Sequence, residues 1–227
     1  DLMHTMVHDL RNPLSGIYAG LQLLTRSTVE ETFSPSQRQI LEAAQYSTQR
    51  MLKLVSEILD INRLESGKMP LNQRAFHLAD VVNDVLAVQQ PLAEQRNLQL
   101  CSDIALTTPQ VLGDRDLIER VIQNLVGNAL NFTPEGGLIR VGAQVELETR
   151  KLQISVNDTG TGIPPEIRER LFQKFVTGTQ KKRGSGLGLV FCRMVLEAHN
   201  ERIWVLDTSE QGTTFLFTLP LAEAAEG

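Results

Sequence analysis

The sequence predicts an α-helical hairpin that pairs into a dimeric four-helix bundle, followed by an α+β sandwich. Three observations carry this expectation. A heptad-spaced apolar stripe runs through the chain before Gly67, it stops there, and mixed helical and alternating patterns fill the remainder.

The first element is a helix. Its apolar residues fall at Met3, Val7, Leu10, Leu14, Ile17, Leu21 and Leu24, in steps of four and three, the rhythm of a helix packed in a bundle. A polar stretch from Thr25 to Ser36 follows, with Pro35 near its end. The rhythm returns at Ile40, Ala44, Ser47, Met51, Leu54, Ile58 and Ile61, and this second helix runs to about Ser66, where Gly67 supplies a stop. One hairpin leaves part of each stripe uncovered. Two hairpins cover it, so a homodimer is expected. These considerations divide the chain into residues 1–70 and 71–227.

In the second half, Phe76 to Arg96 reads as a strand entry followed by a helix, and Leu98 to Ile104 alternates like a strand. Asp114 to Phe132 is helical. Leu138 to Leu147 and Lys151 to Asp158 read as strands about a turn at Glu148–Arg150. Pro164 to Phe172 is a short helix started by proline. Leu187 to His199 is a helix, and Arg202 to Asp207 and Thr213 to Leu219 are closing strands. Helices mixed with antiparallel hairpins make an α+β sandwich.

Composition narrows the function. Of 227 residues 41% are hydrophobic, and the net charge is -5, a balance that argues against nucleic acid as a partner. The two cysteines, Cys101 and Cys192, form no CxxC pattern, which fits a reducing compartment. No apolar run is long enough to form a membrane-spanning helix. The chain opens directly in helical rhythm with DLMHTMVHDL. The expectation is a cytoplasmic piece of a longer protein, with a sensor or membrane segment upstream.

Four segments carry chemistry. NDTGTGIP, Asn157 to Pro164, follows an apolar strand; RGSGLGL, Arg183 to Leu189, opens a helix; EQGTTF, Glu210 to Phe215, opens a strand. Glycine lets backbone turn sharply or approach a ligand, and glycine-rich backbone at a helix start presents N–H groups to an anion. RGSGLGL is neither a Walker loop nor a dinucleotide fingerprint, because no GK[ST] follows and no apolar strand directly precedes it. The fourth segment, NLVGNALNFTPEGG, sets Asn124, Asn128 and Asn131 at i, i+4 and i+7 on one helix face. Such a face is either solvated or lines a wet, ion-bearing cleft. Asparagine carbonyl oxygens suit magnesium.

MVHDLRNPLSG at Met6 to Gly16, then NLVGNALNFTP, DTGTGIP, LFQKF, GSGLGL and GTTF, in this order along the chain, resemble a bacterial two-component sensor histidine kinase. The resemblance spans nearly the whole chain. It implies a histidine-phosphotransfer hairpin joined to a Bergerat-type ATP-binding domain, with ATP and Mg2+ as cofactors and a response regulator receiver domain as partner. His8 is then the phosphoacceptor and Asp9 its acidic neighbour. Asn12, one turn on, would position water for dephosphorylating the regulator. His8 lies about 100° round the helix from the stripe position Val7, on the flank of the bundle. Pro13 removes the N–H that would bond the Asp9 carbonyl, so a bend beside His8 is expected.

The resemblance makes Asn128 the magnesium ligand, supported by Asn124, with Asn131 and Phe132 in the same cofactor-binding set. It makes Asp158 the acceptor for the adenine amino group, with Gly160 and Gly162 letting the base approach and Thr213 bonding near Asp158. Ile163 and Leu187 become apolar walls. Arg183, Gly184, Gly186 and Gly188 hold phosphates, and Gln173 to Ser185 form an ATP lid hinged by Phe172 and Phe175. The chain departs from the family pattern where a basic residue usually stands, at Asn131 and at Thr177. Those departures keep open a degenerate kinase acting as a dimeric scaffold or regulator-binding phosphatase. Other enzymes of the same ATP fold fit less well, because they lack the HDLRNPL hairpin.

His4 and His8 also stand at the i, i+4 spacing of a metal pair. HTMVH lacks the glutamate of HExxH, and no third ligand is evident.

Overall fold

The computed structural model describes residues 2–26, 33–105, 107–176, 185–209 and 211–222, with backbone alone at 2–11, 25 and 26. The chain forms two compact units, Asp1–Ser66 and Gly67–Gly227.

The first unit is a helical hairpin of α1 (Leu2–Arg26) and α2 (Pro35–Glu65). α1 is continuous through Pro13. α2 begins earlier than the apolar rhythm indicates, at Pro35. Ser34 is its N-cap and forms a capping box: the Ser34 amide donates to Gln37 Oε1 (2.8 Å) and the Gln37 amide to Ser34 Oγ (3.3 Å). Proline in the first turn needs no amide partner, so it starts the helix rather than ending the loop. Gln45 Nε2 donates to the Leu21 carbonyl across the hairpin at 3.1 Å. Ile61 and Thr48 are buried. Ile17, Leu24, Ile40 and Met51, all on the heptad stripes, remain 43–70% exposed on a single hairpin.

The second unit is an α+β sandwich. Its elements are β1 (Gln73–Phe76), α3 (Leu78–Gln95), β2 (Gln99–Ser102), β3 (Val111–Asp114), α4 (Arg115–Phe132), β4 (Leu138–Glu146), β5 (Lys151–Asp158), α5 (Pro165–Arg168), α6 (Gly188–Ala198), β6 (Ile203–Ser209) and β7 (Gly212–Pro220). Five strands form one sheet in the order β2-β4-β5-β7-β6. β2 runs parallel to β4; the other pairs are antiparallel.

Three features depart from the sequence expectation. β3 pairs antiparallel with β1, Gln73 opposite Asp114 and Phe76 opposite Val111; four residues are too few to show a period. The strand expected over Leu98 to Ile104 is limited to Gln99–Ser102. The helix expected over Pro164 to Phe172 stops at Arg168. Beyond it the backbone makes only i to i−3 bonds, from Arg170, Leu171 and Gln173, the geometry of tight turns.

The core follows from alternation. β5 buries Leu152, Ile154, Val156 and Asp158 on one face. α4 lays Leu117, Ile118, Val121, Ile122, Leu125, Val126, Ala129 and Leu130 into the core, the broad apolar stripe of a helix on a sheet. α6 adds Val190, Phe191, Cys192, Val195 and Leu196.

The start of α4 is held by a polar knot. Asp114 caps it: Oδ1 accepts from the Leu117 amide (3.2 Å) and Oδ2 from the Asn72 amide (2.9 Å). The Asp114 amide donates to Nε2 of buried His199 at 3.0 Å, and His199 Nδ1 lies 2.7 Å from the Val195 carbonyl. The network assigns the ring proton to Nδ1. His199→Phe should leave the buried Asp114 amide unpaired and lower stability by about 1–3 kcal/mol, read as a shifted urea midpoint with unchanged slope.

Candidate nucleotide site

Asp158 is the fourth inward residue of β5, after three apolar ones. Period-2 geometry therefore buries a carboxylate, 6% exposed, at the end of a hydrophobic strand. The Gly160 amide donates to its Oδ1 at 2.8 Å, and the Thr213 amide also bonds the carboxylate. Burial pushes the Asp158 carboxyl above its ordinary value, and the Gly160 and Thr213 amides offset part of that rise.

The sign of the stability effect follows. The folded carboxyl takes up its proton at a higher pH than the unfolded one, whose value is 3.8. Its contribution to stability is therefore fully present below 3.8 and lost as pH rises through the raised folded value. The stability of the parent minus that of Asp158→Asn should thus grow as pH falls from about 7 to about 4. Urea titrations of both proteins across that range check it.

The loops beside Asp158 are built from glycine because backbone crowds them. A Cβ at Gly160 would stand 2.9 Å from the Phe132 carbonyl oxygen. Gly162 has φ +69, and a Cβ there would overlap the Ser209 carbonyl. Gly212 has φ +136, and a Cβ there would overlap the carbonyl of Asp158 itself. The same cluster is tied by hydroxyls: the Ile163 amide donates to Thr208 Oγ1 (2.8 Å), which lies 3.2 Å from Thr213 Oγ1. Gly212, the glycine of EQGTTF, has the same standing in this cluster as Gly160; so does Thr208, which no local pattern singles out and only the pairing of β6 with β7 brings there.

The asparagine face of α4 is split by the structure. Asn124 and Asn128 are half-buried, whereas Asn131 is exposed. Arg96 Nη1 donates to the Leu130 carbonyl (2.8 Å) and to Asn131 Oδ1 (3.3 Å). A cation from the end of α3 thus stands beside the position where the sequence lacks one. Gly188, the first residue of α6, meets Asn124: a Cβ on it would lie 3.2 Å from Asn124 Oδ1. Glycine at the start of α6 thereby brings that helix end against the asparagine face.

Leu187, at the N-cap of α6, is 2% exposed. Ile163 lines a groove of about 340 Å³ with Arg168, Leu171 and four residues of β6. Phe175 has φ 63 and its amide donates to the Gly186 carbonyl at 3.1 Å. Arg183 and Gly184, with most of the expected lid, lie outside the described residues, as does Thr177. His8 and Asp9 lie on α1, where the backbone alone is described; Asn12 is exposed on the same helix.

Among the described residues, no cluster of three His, Cys, Asp or Glu side chains could hold a metal. A cation at the asparagine face would draw on amide oxygens, water and a ligand's own oxygens, the donor set that magnesium accepts.

Residues 1–67 match the His Kinase A (phospho-acceptor) domain, and residues 113–223 match the histidine kinase-, DNA gyrase B- and HSP90-like ATPase family. The crystallised catalytic domain of the histidine kinase ThkA is 30% identical, with a TM-score of 0.59, over 67% of this chain and 97% of that one. This chain belongs to the sensor histidine kinases.

Other family members agree along its length. The adaptive-response sensory kinase SasA of Synechocystis is 34% identical over 225 residues, 97% of this chain and 58% of SasA. The sensor protein GacS of Pseudomonas syringae pv. syringae is also 34% identical, over 100% of this chain and 25% of GacS. The histidine kinase ShkA, crystallised full-length with AMPPNP, is 27% identical with a TM-score of 0.84, over 99% of this chain and 46% of that one. The chain thus spans just over half of SasA and a quarter of GacS. No helix among its described residues is long and apolar enough to cross a membrane.

Proposed function

We propose that this histidine kinase core uses ATP to phosphorylate His8 and passes the phosphoryl group to an aspartate of a response regulator receiver domain. The observation that carries the reading is the buried Asp158 carboxylate, held by two backbone amides and ringed by glycines whose close-packed backbone has no room for a side chain. ATP is the substrate. Asp158 accepts the adenine amino group, with Gly160, Gly162 and Thr213 shaping the slot beside it. Ile163, Leu187 and Phe132 border the base, while Asn131 stands toward the phosphates with Arg96 beside it.

Asn128, with Asn124 in support, holds the phosphates' magnesium, which when bound neutralises charge on the triphosphate. Gly184, Gly186 and Gly188 meet the phosphates at the α6 N-terminus, with Arg183 supplying positive charge. His8 then attacks the γ-phosphorus in line through a ring nitrogen, the bond to the β-γ bridging oxygen breaks, and ADP leaves. Asp9 orients the ring and takes its proton. Positioning supplies most of the catalysis in phosphoryl transfer. Asn12 positions water when the phosphorylated regulator is hydrolysed.

The exposed stripe of Ile17, Leu24, Ile40 and Met51 supports a homodimer, since a second hairpin buries that stripe in a four-helix bundle. The domain division is residues 1–70 for dimerisation and phosphotransfer and 71–227 for nucleotide, in a cytoplasmic protein whose sensor segment lies upstream.

Incubation with γ-labelled ATP and magnesium tests the reaction class. Acid-labile, alkali-stable label that passes to an added receiver domain is expected. ATP binding with no label under any condition would favour the scaffold or phosphatase reading, which the absence of a basic side chain at Asn131 motivates.

A further inference from the structure

We infer that Arg96 is a phosphate-binding residue: part of its guanidinium is fastened to the end of α4, and the rest supplies charge and donors to the triphosphate at the asparagine face. The inference rests on the nucleotide reading above.

The sequence creates the anchor. The Leu130 carbonyl, in the last turn of α4, would ordinarily accept from the residue four positions on. That residue is Pro134, which has no N–H. Arg96 takes its place: Nη1 donates to the Leu130 carbonyl at 2.8 Å and to Asn131 Oδ1 at 3.3 Å. The backbone beneath it is fixed as well. Arg96 is the C-cap of α3, and its amide donates to the Leu92 and Ala93 carbonyls at 3.2 and 3.1 Å. Asn97 follows with φ 54, and its carbonyl accepts from the Gly136 amide at 2.9 Å. The end of α3 is thereby stitched to the loop that follows α4.

A guanidinium carries five N–H donors, two of them on Nη1. The two Nη1 bonds are the side-chain hydrogen bonds of Arg96 among the described residues. Nε and Nη2 therefore keep three donors in a planar fork, on an exposed side chain, and such a fork matches phosphate oxygens in pairs. Asn131, to which Arg96 is tied, follows Asn128 by three residues and Asn124 by seven, on the same helix face. A triphosphate on that face keeps negative charge after one magnesium ion has bound, so a cation held there favours the bound state. Arg120 precedes Asn124 by one turn, but its guanidinium lies 4.2 Å over the Phe191 ring, in the packing of α4 against α6. The competing account makes Arg96 a cap for the α4 C-terminus and nothing more.

The two accounts differ in which part of the nucleotide feels the substitution. The test is calorimetric titration with ATP plus magnesium and, separately, with adenosine, each protein also being melted. The proteins are the parent, Arg96→Met, Arg96→Gln and the double variant Arg96→Met/Asn131→Lys. Arg96→Gln retains a donor for the Leu130 carbonyl without the charge, which covers the case in which Arg96→Met fails to fold. The ratio of ATP to adenosine affinity should fall about tenfold in both single variants, with adenosine affinity within about twofold of the parent. Asn131→Lys should restore most of the ratio in the double variant. An unchanged ratio in either folded single variant would overturn the inference, as would a loss that Asn131→Lys fails to restore. A parent that binds no ATP would instead remove the nucleotide reading itself, and the inference with it.

Discussion

Asp158→Asn is expected to weaken ATP binding about a hundredfold, equivalent to about 2.8 kcal/mol, while leaving the protein folded. The carboxylate accepts from the Gly160 and Thr213 amides, and the adenine amino group would be a third donor to it. Asparagine has one acceptor oxygen, and its NH2 must face one of those N–H groups. A donor then meets a donor in a buried site, and hydrogen bonds to a charged acceptor are among the stronger ones lost. Stability should change little, because the substitution also removes the desolvation penalty of the buried charge. Titration of a fluorescent nucleotide beside a thermal melt separates the two effects. Binding within threefold of the parent would show that Asp158 does not read the base.

Gly212→Ala should have the largest effect on stability, a loss of roughly 3 kcal/mol or more. At φ +136 an alanine is strained regardless of space, and its Cβ would overlap the Asp158 carbonyl oxygen. The Gly212–Thr213 backbone is also what brings an amide to the Asp158 carboxylate. Nucleotide affinity should therefore fall with stability, and Gly127→Ala is the control, since a Cβ there meets nothing within 4 Å. A denaturant midpoint for Gly212→Ala equal to that of Gly127→Ala would contradict the packing argument.

The elements that were legible in the sequence are the long periodic ones. The hairpin helices, α3, α4, α6 and the strands β4 to β7 follow apolar spacing within a few residues. β5 shows why: Leu152, Ile154, Val156 and Asp158 alternate inward, so the burial of Asp158 is itself readable. β1 and β3 were not legible as a pair, because each has four residues and their pairing spans the whole of α3. The start of α2 is not legible from apolar spacing, because Pro35 reads as a breaker until the Ser34 capping box is seen.

At the site, the glycines and asparagines stood out by residue type. Their neighbours Thr208 and Arg96 did not, since each acts through a contact between residues distant in sequence. Arg96 is the clearest case. The sequence around Asn131 shows a missing cation, and only the packing of the α3 end against the α4 end shows one nearby.

The central claim is that His8 receives the γ-phosphoryl group of ATP. The most direct measurement is labelling with γ-labelled ATP and magnesium of the parent and of His8→Gln side by side, with nucleotide binding recorded for both. The account predicts acid-labile, alkali-stable label on the parent, none on the variant, and equal ATP affinity. Label persisting on His8→Gln would contradict it.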